Sequence, residues 1–215
     1  MTTPADIAAL PPFAPRPIAL AGNLVRLEPL TLDHLPALTE AATGPEIWKW
    51  TSIWPPADRA GHEAFMRTWV DTALTMRDRG EAIPWATIDA RTGRCIGSTR
   101  FLNIRRDHRC AEIGWTWIHP SAQRTGINTE AKLLQLRYAF DELGAIRVEW
   151  RTDERNKKSW AAIARLGATH EGILRDYIIR GDGTLRSTAC FAMIREEWPA
   201  ARDRLEGMLA AHAGA

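Results

Sequence analysis

The 215-residue sequence predicts an α+β (mixed α/β) fold, a mostly antiparallel sheet of seven strands with helices on both faces. Three strand-like runs follow one another over residues 83–118, a strand–helix–strand unit spans 111–150, and Gly181-Asp-Gly183 joins the last two runs as a hairpin. Strand, helix, strand at that spacing is a crossover connection. Residues 111–118 and 146–150 are therefore expected to be parallel neighbours.

Taken in order, residues 1–21 carry Pro4, Pro11, Pro12, Pro15 and Pro17 and little pattern, which reads as an extended arm. A single domain is expected over 22–215. Leu24, Val25 and Leu27 start a strand that Pro29 ends, and Thr31 caps a short helix running to about Ala42, with Pro36 near its first turn. Across 58–79, Phe65, Trp69, Ala73 and Met76 recur at helical spacing. Residues 85–88, 96–104 and 111–118 make an antiparallel meander with turns at 91–94 and 105–109. Residues 126–143 are the most strongly helical stretch, stopped by Gly144 before the strand at 146–150. A helix over 156–166 ends at Gly167, strands follow at 171–179 and 185–194, and an amphipathic helix over 196–209 is interrupted early by Pro199.

The 28 Lys and Arg against 26 Asp and Glu leave a charge of +2, so no concentrated basic face for nucleic acid is expected. Any bound anion has to be held locally. No apolar run nears the roughly 20 residues that cross a bilayer, and the chain opens on no export signal. A cytoplasmic protein with no membrane partner is expected. Cys95, Cys110 and Cys190 are widely spaced without a C-x-x-C, which fits a reducing compartment. A hairpin turning near Asp107 would set Cys110 opposite a residue near Asn103 and Cys95 opposite one near Ile118, too far apart to bridge. The six histidines show no H-x-x-x-H pattern, so no metal is expected. Ten tryptophans against two tyrosines are the compositional outlier, and most are expected in the core.

Chemistry concentrates in Ile118-His-Pro-Ser-Ala-Gln-Arg-Thr-Gly-Ile-Asn-Thr-Glu-Ala-Lys132, where a strand ends, a polar loop turns and a long helix begins. The first N–H groups of a helix lack intrahelical partners, and its dipole is positive there. Arg124 adds a charge, Gly126 lets backbone approach closely, and Asn128 and Thr129 add hydrogen-bonding side chains; a pyrophosphate would fit. The competing reading is a solvated helix start capped by Thr125 or Asn128. Neither G-x-x-x-x-G-K-[ST] nor G-x-G-x-x-G is present.

Gln123-Arg-Thr-Gly126 resembles the Q/R-x-x-G-x-G/A pyrophosphate loop of the GNAT N-acetyltransferases, and Gly-Ile-Asn-Thr-Glu-Ala-Lys132 is similar to its continuation in the RimJ/RimL-like branch. Asn156-Lys-Lys-Ser159, Ala162 and Leu166-Gly167-Ala168 resemble the N-x-x-S…LG[FA] segment of that branch. The resemblance covers about residues 24–198. It implies acetyl-CoA as cosubstrate, acetyl transfer to a primary amine by direct attack in a ternary complex, and splaying of the parallel strands around the pantetheine. It also implies that the loop Gln123, Arg124, Thr125, Gly126, Ile127, Asn128 and Thr129 holds the pyrophosphate, and that Asn156 contacts the pantetheine arm. Two departures stand out: Asn128 replaces a frequent Gly or Ala, and Ile163 occupies the place of the tyrosine that many members use as general acid.

Transfer to an amine needs a neutral amine, a polarised thioester carbonyl and a proton for the departing sulfur. Glu112, in Cys-Ala-Glu-Ile-Gly-Trp-Thr-Trp, is the candidate base. Strand alternation sets Glu112, Gly114, Thr116 and Ile118 on one face and Ile113, Trp115 and Trp117 on the other, where partial desolvation would raise the carboxyl pKa. The competing reading is an ion pair with Arg100 or Arg109, and Glu149 is the reserve base. Backbone amides near Ile118 are candidate oxyanion donors. The resemblance places Ser159 near the sulfur as candidate proton donor; the competing reading makes Asn156 an N-cap and Ser159 a first-turn residue.

Trp48, Trp50 and Trp54 lie between the first two helices, where the resemblance implies part of an acceptor cleft; they either wall that cleft or pack the segment. Tyr177 and Arg186 flank the 181–184 hairpin, expected on another side of it. The run Arg105-Arg106 with His108-Arg109 reads as a solvated turn. An acetyltransferase acting on a protein or peptide N-terminus or a small amine is set against a non-catalytic acyl-CoA sensor or a Trp-rich peptide- or RNA-binding module. Exposed tryptophans, or the arm, would allow a homodimer.

Overall fold

A computed structural model describes residues 4–213; the first three residues of the predicted arm and the last two of the chain lie outside the described residues. The elements are α1 (Pro4–Ala8), β1 (Leu20–Ala21), β2 (Val25–Pro29), α2 (Leu35–Ala41), α3 (Pro45–Trp48), α4 (Arg59–Asp78), β3 (Ile83–Asp89), β4 (Cys95–Arg105), β5 (Cys110–Ile118), α5 (Ile127–Arg137), β6 (Arg147–Asp153), α6 (Lys157–Arg165), β7 (Thr169–Ile179), β8 (Leu185–Ile194) and α7 (Trp198–Ala213). They form one mixed sheet in the order β1-β2-β3-β4-β5-β6-β8-β7, with β5 and β6 parallel and the other neighbours antiparallel.

The sheet has eight strands rather than the expected seven. The extra strand, β1, is two residues long and is made by backbone pairing of Leu20 with Leu27, too short for side-chain alternation to betray it. The N-terminal segment is thus not extended throughout: it carries α1 and β1 and lies along the body. Phe13 and Leu20 are buried, Trp85 Nε1 donates to Ile18 O at 2.7 Å, and Tyr138 Oη donates to Arg16 O at 2.9 Å.

Asp58 caps α4 through Oδ1, which accepts from Gly61 N at 2.8 Å. α5 runs on into a π-helical turn, Tyr138–Glu142, before Gly144 stops it at φ +61°. Pro199 opens α7 rather than interrupting it, because a first-turn proline gives up no intrahelical bond. Two apolar clusters form the core. The larger includes Val25, Phe101, Ile113, Ile127, Leu136, Val148 and Trp198; the other gathers Leu38, Trp48, Met66, Trp69, Val70 and Trp117 around α2 and α4. Most of the tryptophan excess goes here, since Trp48, Trp69, Trp85, Trp117, Trp150 and Trp198 are all buried.

Regularity breaks in β5, and the break shapes the site. Pairing with β4 slips between Ser98 and Arg100, and Trp115 sits at φ +49°, the signature of a bulge. The simple alternation expected there fails as a result. Ile113 enters the larger cluster and Thr116 meets Lys132 of α5, whereas Trp115 and Trp117 both pack on Trp69 of α4. A second slip, with Asn103 at φ +48°, pairs Cys110 with Arg105, two residues from Asn103, and Ile118 pairs with Gly97, two residues from Cys95. The three cysteines are free thiols. Parallel pairing covers Cys110 with Arg147, Ala111 with Val148 and Glu112 with Glu149, and no further. From Ile113 onward β5 has parted from β6.

Candidate active site

A cavity of about 1010 Å³ occupies the gap where β5 leaves β6, bounded by the start of α5, by α6, and by the segment from Glu46 to Ile53. At one end lies the loop between β5 and α5. Gly126 is the N-cap of α5 at φ +81° and supplies no side-chain cap. The Thr125 hydroxyl donates instead to Ala122 O at 2.7 Å, and the first helical hydrogen bond is Glu130 N to Gly126 O. The N–H groups of Ile127, Asn128 and Thr129 therefore remain without helical partners, so the capped-start reading fails at Thr125. Arg124 turns through φ +64° and is exposed, and Gln123, Arg124, Gly126, Asn128 and Thr129 all line the cavity. Ile127 does not: its side chain is buried in the core, and only its backbone faces the loop. Lys158 donates to Gln123 Oε1, and Arg165 donates to Thr129 Oγ1 at 3.2 Å, so α6 brings positive charge to the same place.

Ile118 and Asn156 line the middle of the cavity, as does Ser159. The carbonyl of Ile118 accepts from Gln123 Nε2 at 3.2 Å, and the His119 N–H is spent on Ile96 O at 2.7 Å. The oxyanion donors expected around Ile118 are thus confined to the open edge of β5. Asn156 caps α6, its Oδ1 accepting from Ser159 N at 3.1 Å, so the capping role is realised while both residues face the cavity.

Acidic, basic and aromatic side chains gather at the other end. Glu112 is only 6% exposed, accepts from Asn103 Nδ2 at 2.9 Å and lies 3.4 Å from Arg151 Nε. Burial raises its pKa above the ordinary carboxylate range, and the Asn103 hydrogen bond and the Arg151 charge only partly oppose that. Its ion-pair partner is therefore Arg151 on β6, not Arg100 or Arg109. Arg100 is fully buried with its guanidinium between the rings of Trp69 and Trp115, 4.6 and 4.7 Å from their centroids. Arg109 donates to Gly144 O at 2.9 Å. The reserve base, Glu149, is also desolvated, but Arg147 at 2.7 Å and Arg105 at 2.6 Å outweigh that and hold its pKa below the ordinary value. A carboxylate so paired is a poor proton acceptor.

Trp48, Trp50 and Tyr177 line this end, and Trp54 does not. Trp48 is 3% exposed and donates from Nε1 to Ala42 O at 2.9 Å, a packed residue that also forms wall. Trp50 lies under Arg155, 5.5 Å from ring centroid to guanidinium carbon, and Trp54 packs on the α2–α4 cluster. Tyr177 accepts from Arg151 Nη1 at 3.0 Å through its hydroxyl. Residue-by-residue reading passed over Asn103, Arg151 and Lys132. Lys132 is buried without a carboxylate: Nζ donates to Thr99 Oγ1, Thr116 Oγ1 and Gln135 Oε1 at 2.8, 3.0 and 2.7 Å. Burial pulls its pKa down to about 7. The one sequence signal was its place on the inward face of α5, at the end of the loop motif.

Residues 25–169 match the family model described as an acetyltransferase (GNAT) domain. The chain belongs to the GNAT acetyltransferase family. An uncharacterized N-acetyltransferase, p20, of Bacillus licheniformis is 26% identical over 172 residues, 80% of this chain and 93% of that protein. A GCN5-related N-acetyltransferase from Brucella melitensis superposes with a TM-score of 0.83 at 31% identity, covering 92% of this chain and 88% of that one. RimJ of Mycobacterium smegmatis, solved in complex with CoA-disulfide, shares the fold at a TM-score of 0.76 and 24% identity, over 89% and 95% of the two chains. This GNAT protein is an acyltransferase, and the family implies acetyl-CoA as its donor. The residues present fit that donor: an uncapped helix start with Arg124, Lys158 and Arg165 around it suits a pyrophosphate, and an unpaired strand edge suits an amide-bearing arm. Among the described residues no group of three or more His, Cys, Asp or Glu could hold a metal, and no helix is long and apolar enough to cross a membrane.

Proposed function

We propose that this GNAT protein is an N-acetyltransferase that moves the acetyl group of acetyl-CoA to a primary amine by direct attack, with both substrates in one cavity. The observation that carries the reading is the continuity of that cavity, from the uncapped α5 start to a buried carboxylate whose pKa is raised. Backbone N–H groups of Gln123 to Thr129 would hold the pyrophosphate, and the free edge of β5 together with Asn156 would hold the arm. Bound there, the donor supplies an activated acetyl thioester.

The protein's residues supply the rest. Glu112 takes a proton from the acceptor ammonium, a task suited to a carboxylate whose pKa is raised by desolvation. The amine nitrogen then bonds to the acetyl carbon as the C–S bond breaks, and the second proton that the nitrogen sheds is relayed through the Ser159 hydroxyl to the departing sulfur. N–H groups on the open edge of β5 face the carbonyl oxygen. Trp48, Trp50 and Tyr177 wall the acceptor.

The test is the melting temperature with and without acetyl-CoA at about 100 times its dissociation constant, with adenosine as control. Binding to the native state alone adds about 2.7 kcal/mol, a shift of several degrees. A shift for acetyl-CoA and none for adenosine is the expected result; no shift, confirmed by calorimetry, defeats the reading.

A further inference from the structure

Several arginines around the acceptor end pair with carboxylates. Arg151 lies 3.4 Å from Glu112 and 3.6 Å from Glu149; Arg105 and Arg147 pair with Glu149, and Arg155 and Arg180 with Asp153. Of the arginines that line the cavity at this end, Arg186 of β8 alone makes no ion pair among the described residues; Arg100 also lacks one, but it packs on Trp69 and Trp115 outside the lining. The Arg186 guanidinium lines the cavity and is within electrostatic reach of Glu112 and Asp153, yet it makes no ion pair. Its one hydrogen bond is a long one, Nη1 to Ser52 Oγ at 3.4 Å, and its Nε is buried with no partner. Two residues along the same strand, Thr188 is fully buried, lines the same cavity, and leaves its Oγ1 without a partner.

A guanidinium stays charged at neutral pH, and a buried donor left unpaired costs free energy, so two such donors together on one wall need an acceptor from outside the chain. One cation plus one hydroxyl matches a monoanion that accepts from an arginine fork, which is a carboxylate. The donor's phosphates are accounted for at the opposite end, by the loop and by Lys158 and Arg165. We propose that the acceptor is an amine that also carries a carboxylate, gripped by Arg186 and Thr188 while its amine faces Glu112. This rests on the acetyltransferase reading and makes Arg186 a specificity-determining residue. In the transfer the ammonium gives one proton to Glu112, the N–C bond forms and the C–S bond breaks, the nitrogen's second proton passes to the departing sulfur, and the carboxylate is unchanged.

The same chemistry is offered by a free amino acid and by a peptide N-terminus with an acidic first or second residue, and the experiment separates the two. Acetylation by the full chain is measured with amino acids against their amides, and with C-terminally amidated dipeptides carrying Asp or Glu at the first or second position against their Asn or Gln counterparts. The expected result is that the best acid exceeds its amide at least roughly tenfold in kcat/KM, mainly through KM, because the amide leaves Arg186 unpaired. In Arg186→Met that ratio falls to within about twofold, and in Arg186→Lys part of it returns. Preference within the amino-acid set names a small acceptor; preference within the dipeptide set names a chain end. Amides used as well as acids, or a preference that survives Arg186→Met, overturn the proposal. If acetyl-CoA raises the melting temperature but no acid is acetylated, the proposal falls and the acetyltransferase reading stands; without that rise both fall.

Discussion

At one end of the cavity, Gln123 to Thr129 present backbone N–H groups and a helix start, all within one short stretch of chain. At the other end, side chains from the 46–53 segment, β4, β5, β6, β7 and β8 meet, and each of the buried charges Glu112, Glu149 and Asp153 is matched by arginines from elsewhere in the fold. The first end recognises a constant chemical group through backbone, which any compatible sequence supplies. The second recognises through side chains whose charge states depend on burial. A family can therefore hold the donor end fixed and vary the acceptor end, because the two share a cavity but almost no residues.

The largest effect expected from breaking this comparison is at Glu112. Glu112→Gln should lower kcat/KM by about 100-fold or more, with the melting temperature unchanged or raised. The sign follows from burial: a raised native pKa favours the neutral acid in the folded state, so stability is lost as pH rises through that pKa. Over the same range the wild-type rate should climb as the base ionises, and Gln should abolish both trends. Rate and unfolding profiles across pH check this. A variant that keeps the acidic limb of the rate profile would move the base away from the acceptor end.

At the donor end Gly126→Ala should act through binding alone. The residue sits at φ +81°, and a Cβ there would lie 2.8 Å from His212 and 2.9 Å from Leu24. Strain of about 1–2 kcal/mol is expected, raising KM for acetyl-CoA roughly tenfold with little change in kcat. Steady-state kinetics with acetyl-CoA varied decides it, and a fall in kcat at unchanged KM would show the two ends to be coupled.

The smallest effect is expected between them. Asn156→Ala removes a helix cap worth about 1 kcal/mol, which lowers the melting temperature by about 2–4 °C. A protein that remains folded at 25 °C should still lose turnover severalfold, through the lost contact to the donor arm. Melting lowered with turnover intact would leave Asn156 as a cap alone.

Local signals were legible in the chain. The helix beginning near Asp58, the run from Gly126 to Gly144, the Asp-Gly hairpin and the 123–129 loop each depend on neighbours within a few residues, and each is where the sequence placed it. The bulges at Asn103 and Trp115 were not legible, because an extra residue in a strand is a property of the pair of strands. They broke the expected alternation, parting Ile113 from the face that Trp115 and Trp117 share. β1 escaped for the same reason, being made by its partner β2 rather than by any pattern of its own.

The sequence by itself determined the family, the loop that suits a pyrophosphate and the order of the longer strands and helices, since these follow from spacing along the chain. Tertiary structure alone decided that Glu112 is buried beside Asn103 and Arg151, that Glu149 is paired by Arg105 and Arg147, and that Arg186 faces the cavity with no carboxylate partner. The physical reason is that a charge's chemistry is set by its desolvation and its neighbours, and those come from strands far apart in sequence.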